Sequence, residues 1–476
     1  MTTVPRGDEQ ADLSRFGYAQ ELFRAMGGFS NFAISFSIIS VLTGAVTLYG
    51  YGLEMGGPLE MSLGWPIATF FTLLLAASMA ELCSAWPTSG AMYHWASGLG
   101  SPGLGWLAAC LNIIGGVAAQ AGINYSCAQF ALPFLSLPAT QLNLWLMFAF
   151  ISINQAALNH WGVRLVAILN DLSVTAHILG VVAIVAAVFW LAPVQPASFL
   201  ATAVNSNGRS PYWWAFLLGL LQAHWTFTGF DGSAHMAEET EDPRRRAPWG
   251  IVLSVAVSGA VGYLLLLGLT LAIRDLPSAL NAKDASGASV PAAIAVLQTA
   301  ISPRAGAALG MLTSIAMWFC GLSSLASSSR TLFSLARDGG TPAWAWLRRV
   351  SKVHGTPGPA IWSIAATSLV VMFWTEAIPV VTSLSTVTLY IAYVIPVILG
   401  IRNRAWVAEA PWNLGRYGTL VNAVAIVYTI FICVVLVMPP NELAGKTIGG
   451  VLLILLLLWF GWVRRRFQGP EWSHSK

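Results

Sequence analysis

No charged side chain occurs between Gly250 and Ile273 or between Tyr417 and Asn441, and both runs exceed the roughly 20 apolar residues that carry an α-helix across hydrocarbon. Runs of that length leave few architectures open, because a backbone surrounded by lipid has to satisfy its own hydrogen bonds as a helix or a closed barrel. The strand-length alternation of a barrel is absent. The rest of the chain agrees: 56% of its 476 residues are hydrophobic and 9% are charged, against about 25% charged in soluble domains. The expectation is an all-α integral membrane protein of about 12 transmembrane helices, near residues 31–53, 64–86, 104–135, 141–158, 161–192, 212–238, 248–273, 305–337, 358–375, 378–401, 418–438 and 447–463.

Charge sets the orientation. With the amino terminus inside, about eighteen of the 24 Lys and Arg residues fall in the tails 1–30 and 464–476 or in the loops TEDPRRRAPWG, RDGGTPAWAWLRRVSKVHGTPG and IRNRAWVAEAPWNLGRYG. That excess predicts a multi-pass protein of the cell membrane with both termini cytoplasmic, and it explains the net charge of +4 without a nucleic-acid partner. Arg6, Asp8, Glu9, Asp12, Arg15, Glu21 and Arg24 deny the amino-terminal tail the apolar core of a cleaved signal peptide. Cys83, Cys110, Cys127, Cys320 and Cys433 stand singly in apolar runs, as small core residues rather than a disulfide or zinc framework. No polar stretch is long enough for a soluble domain.

Two spans carry a Thr–Gly step. The first reads NFAISFSIISVLTGAVTLYGYG, with SVLTG from Ser40 to Gly44, and the sixth carries TFTGF around Thr228 and Gly229. The steps lie five spans apart in helices that run in opposite directions, the pattern of an inverted repeat. Transporters of this kind bind solute where paired discontinuous helices unwind, because half-helix amino termini attract an anionic group while freed carbonyls hold a cation. Thr–Gly steps equally allow close helix packing. On the first reading, Ser40 to Gly44 and Thr228 to Phe230 are non-helical and adjacent.

Polar residues inside the spans are the remaining candidates. Asp231 falls in the first turn of the second half of the sixth span, where the helix dipole favours a negative charge by roughly 0.3–1 kcal/mol. It reads as a helix cap, or as a counter-charge for a substrate amine or a proton-sensing carboxylate. Asp231, His235 and Glu238 share one helix face at i, i+4 and i+7; with Glu239 they read as a solvated cytoplasmic helix end. No other span supplies ligands to complete a metal site there. Gln120 and Asn124, one turn apart in the third span, face the pore or bond between helices. Glu81 and Arg330 end the second and eighth spans on the cytoplasmic side and pair across an inner gate, unless Arg330 simply snorkels.

The segments GGFSNFAISFSIISVLTG (Gly27 to Gly44), AELCSAWPTSGAMYHWASGLGSP (Ala80 to Pro102), FTGFDGSAHMAEETEDPRRRAPWGI (Phe227 to Ile251) and SSSRTLFSLARDGGTPAW (Ser327 to Trp344) are similar to those of amino acid-polyamine-organocation permeases. The match is closest to the branch that includes amino acid, GABA and choline permeases, and it runs in the family's order over nearly the whole chain. The resemblance implies a five-plus-five inverted repeat, residues 31–192 and 212–401, with broken first and sixth helices and two further helices over 418–463. It also implies roles. Trp225, one turn before Thr228, stands where similar permeases place an aromatic gate, although packing is the alternative in a chain with 21 tryptophans. Phe227 and Phe230 flank the break as apolar walls or a cation-binding face. His177 occupies a position where many similar permeases carry a lysine in place of a sodium ion; histidine does related work only if it titrates near neutral pH, and is otherwise a neutral core residue. Ser324 would face it from the eighth span.

The chain is therefore read as a secondary active transporter that moves an amino acid or GABA-like zwitterion by alternating access, coupled to a proton or a counter-solute. The solute's carboxylate would meet backbone N–H groups after Ser40 and Thr43, since a helix amino terminus binds an anion without a basic side chain. Its amine would meet carbonyls near Phe227 and the charge of Asp231, with Gly44, Thr228 and Gly229 completing the site. A choline- or ethanolamine-type amine permease is the rival. No cofactor, metal or ATP is expected, and no enzyme: the sequence has no GxxxxGK[ST] loop, no HExxH and no paired aspartates. The repeated rings of charge of a channel are missing as well.

Overall fold

The computed structural model describes residues 13–474 apart from Arg15, Ala25, Ser136, Ala139, Ala285, Ser286, Ala288, residues 375–377 and Asn403. Arg6, Asp8, Glu9, Asp12 and Arg15 of the expected tail lie outside the described residues. Among the described residues the extended elements are helices, and nine are long and apolar enough to cross a membrane.

Helix starts follow the sequence. Ser101 and Ser302 each precede a proline and accept from the backbone N–H groups of Leu104 and Ala305, which joins a side-chain N-cap to a residue that has no N–H to lose. The first membrane helix is two pieces, α1 (Gly28–Ile39) and α2 (Val41–Thr47), because Ser40 adopts a left-handed conformation at φ 38°, ψ 82°. α3 (Tyr49–Leu59) continues it and kinks at Gly57, φ 66°. A π-helical turn at Glu60–Gly64 leads into α4 (Trp65–Ala85), and α5 (Pro102–Ala131), α6 (Gln141–Trp161) and α7 (Val163–Leu191) follow. The sixth expected span is in pieces: α8 (Tyr212–Gly219), α9 (Leu221–Thr226) and the four-residue α10 (Gly232–His235). Beyond it come α11 (Pro243–Leu271), α12 (Pro303–Arg337), α13 (Gly358–Trp374), α14 (Ile378–Arg402), α15 (Gly418–Leu436) and α16 (Glu442–Gly461).

α5 and α12 form the centre, packed on each other, with α14 also against α5, and α11 lies along α4 and α1. Lipid tails give apolar side chains no reason to associate, so close approach through small residues does that work. A Cβ on Gly116 of α5 would strike Ser328 of α12, and one on Gly321 of α12 would strike Asn124 and Gln155. The outer helices show apolar side chains to the surroundings, Trp190 at 84%, Val427 at 69% and Leu457 at 65% exposure, as a lipid-facing surface requires. Cys83, Cys110, Cys127, Cys320 and Cys433 are free thiols within the bundle.

Glu60 has no counterpart in the sequence reading. Its buried carboxyl sits where a Cβ on Gly56, Gly64 or Gly219 would collide with it, and Oε2 has no hydrogen-bond partner.

Candidate functional site

The two breaks meet. At the first, only Ser40 leaves the helix. Its carbonyl accepts from the amides of Thr43 (2.8 Å) and Gly44 (2.9 Å), so helical geometry resumes at once and Thr43 and Gly44 are helical, contrary to the expectation for them. At the second, Phe227 to Asp231 are turns outside regular helix. The amide and hydroxyl of Thr228 both return to the Trp225 carbonyl, at 3.1 and 2.7 Å, and Gly229 stands at φ 92°. A side chain on Gly229 would collide with Ile38 of α1, and a Cβ on Gly44 would come within 2.7 Å of Thr226 Cα. Glycine is needed twice, at Gly229 for its backbone angle and for contact, at Gly44 for contact alone.

Between the breaks lies a cavity of about 30 Å³, room for a water or two and too little for an amino acid. Thr43 and Gly44 border it from the first break, and Trp225, Thr228, Gly229 and Asp231 from the second. Ser324, Ser327, Ser328 and Cys320 of α12 and Asn112 of α5 complete the polar wall. The resemblance singles out Ser324 alone from the run SSLASSSR, although Ser324, Ser327 and Ser328 share one face at i, i+3 and i+4. Asn112 carried no signal beyond being a single amide in an apolar run.

Several candidates are elsewhere. Phe227 packs on Trp65 and Phe230 on Tyr393, each with ring centroids 4.8 Å apart, and neither is among the residues that line the cavity. Gln120 and Asn124 turn to α6, where both donate to Gln155 Oε1, at 2.8 and 2.9 Å. Of the two sequence alternatives, interhelical bonding is the one realised.

Ser40 and His177 lie one layer behind the cavity. His177 Nδ1 is 2.8 Å from the Ser173 carbonyl, which can only accept, so Nδ1 carries the hydrogen. Nε2 then accepts from the Ser40 hydroxyl at 2.8 Å, and Ser40 Oγ takes the Thr43 hydroxyl at 2.5 Å. A relay of hydroxyls thus runs from cavity-lining Thr43 to a neutral imidazole. No hydrogen bond joins Ser324 to His177 among the described residues.

Asp231 is fully engaged. Oδ1 accepts from the Tyr393 hydroxyl (2.7 Å), Oδ2 accepts from Asn112 Nδ2 (2.9 Å), and His235 Nε2 is 3.0 Å from Oδ2. Tyr393 in turn accepts from the Gly229 amide at 3.2 Å. The carboxylate borders the cavity with both oxygens committed.

The turn after α10 corrects two expectations. His235, Glu238 and Glu239 are buried, not a solvated helix end. Glu239 pairs with Arg330 at 2.7 Å and Glu238 with Arg337 at 2.9 Å, while Glu81 binds Arg404 at 2.7 Å and accepts from the Leu414 amide. The expected Glu81–Arg330 pair does not form. The broken sixth span lays its acidic turn Ala237–Glu239 on α12, so Glu239 takes Arg330, and Glu81 faces the segment after α14.

A second polar cluster lies beside Arg337, outside the spans. The hydroxyls of Tyr18 and Tyr93 both donate to Asp338 Oδ2 at 2.8 Å, and His94 Nε2 is 3.4 Å away. Burial pushes the His94 pKa down. Burial alone would raise that of Asp338, but its hydrogen bond and charge interaction with His94 and the charge of Arg337 hold it below the usual carboxylate range.

The profile of the amino acid permease family matches residues 26–462. The chain is 34% identical to the amino-acid permease BAT1 homolog of Oryza sativa subsp. japonica, across 97% of this chain and 95% of that protein. It is 33% identical to the amino-acid permease BAT1 of Arabidopsis thaliana, across 97% and 96%, and 29% identical to an uncharacterized amino-acid permease of Schizosaccharomyces pombe, across 98% and 90%.

Proposed function

This chain belongs to the amino acid permease family, as a multi-pass membrane transporter and not an enzyme, and from that premise we propose that it carries a zwitterionic amino acid or a GABA-like compound by alternating access. The observation that carries the reading is the meeting of two helix breaks at one closed cavity whose lining includes a carboxylate and no Lys or Arg. A solute carboxylate has to find its partners there without a basic side chain. The amides after Ser40 and Thr43, at the start of the second half of the first span, are the partners we assign to the anion; in this structure those of Thr43 and Gly44 donate to the Ser40 carbonyl. The amine meets carbonyls around Phe227 on the side of Asp231, beneath Trp225.

The breaks belong to the first and sixth spans of two inverted repeats, 31–192 and 212–401, which rock against each other around the cavity. The arginine-rich loops and both termini face the cytoplasm of a cell-membrane protein. Movement is driven by a proton or a counter-solute and takes no ATP. The small volume of the closed cavity supports the cycle, since solute enters only when one side of the seam parts.

Competition uptake in proteoliposomes over the amino acids, GABA, choline and ethanolamine tests the reading. Amino acids or GABA should be carried or should compete. Strong carriage of choline or ethanolamine, with amino acids and GABA neither bound nor competing, would overturn it in favour of an amine permease.

A further inference from the structure

We infer that Asp231 and His235 together form the proton-binding site of the transport cycle, loaded while the second half of the sixth span is pinned and emptied when it is released. This rests on the transport reading and deepens it by naming the coupled ligand and where it sits.

Hydrogen-bond directions carry the argument. His235 Nδ1 is 2.8 Å from the Ser89 carbonyl, an acceptor, so that nitrogen bears a hydrogen. Nε2 is 3.0 Å from Asp231 Oδ2. A bare imidazole nitrogen and a carboxylate oxygen are both acceptors, and contact at that distance needs a hydrogen between them. The pair therefore holds one proton more than a neutral imidazole beside an ionised carboxylate, whichever partner it is assigned to. The neighbours supply no substitute. The Thr331 hydroxyl is 3.1 Å from His235 Nδ1 and 3.3 Å from Nε2, but its one hydrogen goes to Asn112 Oδ1 at 3.0 Å, so it faces the ring as an acceptor and puts no hydrogen between Nε2 and Oδ2.

His177 is the contrast. Its Nδ1 donates to a carbonyl and its Nε2 accepts from a serine hydroxyl, so a neutral ring satisfies every partner. Of these two buried histidines, only His235 requires the extra proton.

The groups that face the pair come from four directions: Asn112 of α5, Tyr393 of α14, Thr331 of α12 and Ser89 of the loop after α4. Of these only Tyr393 is titratable. The charges on the adjoining turn and on α12, Glu238, Glu239, Arg330 and Arg337, pair among themselves. Removal of the proton leaves two acceptors in contact and nothing to compensate them. Because Asp231 ties the break to α5 and α14, and through Tyr393 to the Gly229 amide, that repulsion acts on the wall of the solute cavity. The proton enters from the side to which the cavity is open and leaves on the other.

Two measurements on the full chain test this. The first is ¹⁵N NMR of histidine-labelled and ¹³C NMR of aspartate-labelled protein in nanodiscs, with His235 assigned from H235Q and Asp231 from D231N: either both ring nitrogens of His235 or the Asp231 carboxyl should bear the extra hydrogen, and a neutral ring beside an ionised Asp231 would overturn the proposal. The second is uptake of a mixture of radiolabelled amino acids and GABA into proteoliposomes, with and without an inward proton gradient. The ratio should be severalfold in the wild type and about one in H235Q; a wild-type ratio near one, or an unchanged ratio in H235Q, would also overturn it. No wild-type uptake of any labelled solute would instead fail the transport reading, and the NMR result would still decide the proton site. If H235Q does not fold, His235 is assigned by elimination from variants of the other histidines.

Discussion

Ser40 and His177 are joined by a 2.8 Å hydrogen bond from hydroxyl to Nε2, so the residue at which the first membrane helix breaks is held by an imidazole of α7. A left-handed serine is strained, and the bond fixes its side chain while Thr43 and Gly44 fix its carbonyl.

Removal of the imidazole should loosen the break. H177A is expected to lower solute uptake by a similar factor throughout roughly pH 5 to 8, the range in which histidine changes charge. A loss confined to one end of that range in proteoliposome assays would show instead that His177 titrates during transport.

Gly229 should tolerate no side chain. Its φ of 92° and its contact with Ile38 make G229A costly by about 1–3 kcal/mol of backbone strain, with the collision added. Uptake should be lost while protein remains in the membrane, and G229A/I38A should recover thermal stability only in part, because I38A relieves the collision and not the angle.

Arg330 and Glu239 are fully buried partners. R330A should lower unfolding stability by about 3–5 kcal/mol, since it strands Glu239 without a counter-charge. A double-mutant cycle in thermal unfolding should find coupling between positions 330 and 239 and between 81 and 404, and none between 81 and 330.

Glu60 invites the opposite experiment. Leaving an ionised carboxylate buried without a partner is expensive, and glutamine has nearly the same shape. E60Q should keep or raise the melting temperature; a marked fall would mean that the carboxyl has a partner the closed state conceals.

The clasp of Tyr18, His94 and Asp338 should weaken in acid. His94 is held below its ordinary pKa of 6.5, so the uncharged ring favours the clasp above that value and loses the advantage as pH falls below it. Asp338 is also held low, so its contribution is present above about 4 and disappears on further acidification. A spin label at Ala19 should gain mobility as pH drops below about 6.5; constant mobility down to pH 4 would refute the assignment.

The apolar runs made the helical membrane architecture legible from the sequence, and of the two Thr–Gly steps only Thr228–Gly229 stands at a break, the first helix failing earlier at Ser40. Direction was harder. Gln120 and Asn124 are polar at a one-turn spacing, but whether they meet a pore or α6 depends on how α5 is rotated, which Gly116 against Ser328 decides and periodicity does not. Phe227 and Phe230 stand in the turn itself, and their rings go to Trp65 and Tyr393 rather than to the cavity. The largest miss was at the acidic turn: charges after an apolar run look solvated until a broken helix folds them beneath α12, where Arg330 and Arg337 receive them.

Cys320 borders the cavity, with Sγ 3.0 Å from the Ile38 carbonyl, and it is the single thiol on that wall. The protein therefore carries its own chemical reporter of access. On the alternating-access reading we propose, a maleimide that cannot cross the bilayer has no path to this sulfur while both sides are shut, and the side from which labelling begins names the door that has opened. In a variant whose other four thiols are replaced, the labelling rate, followed with and without solute, would time each door separately.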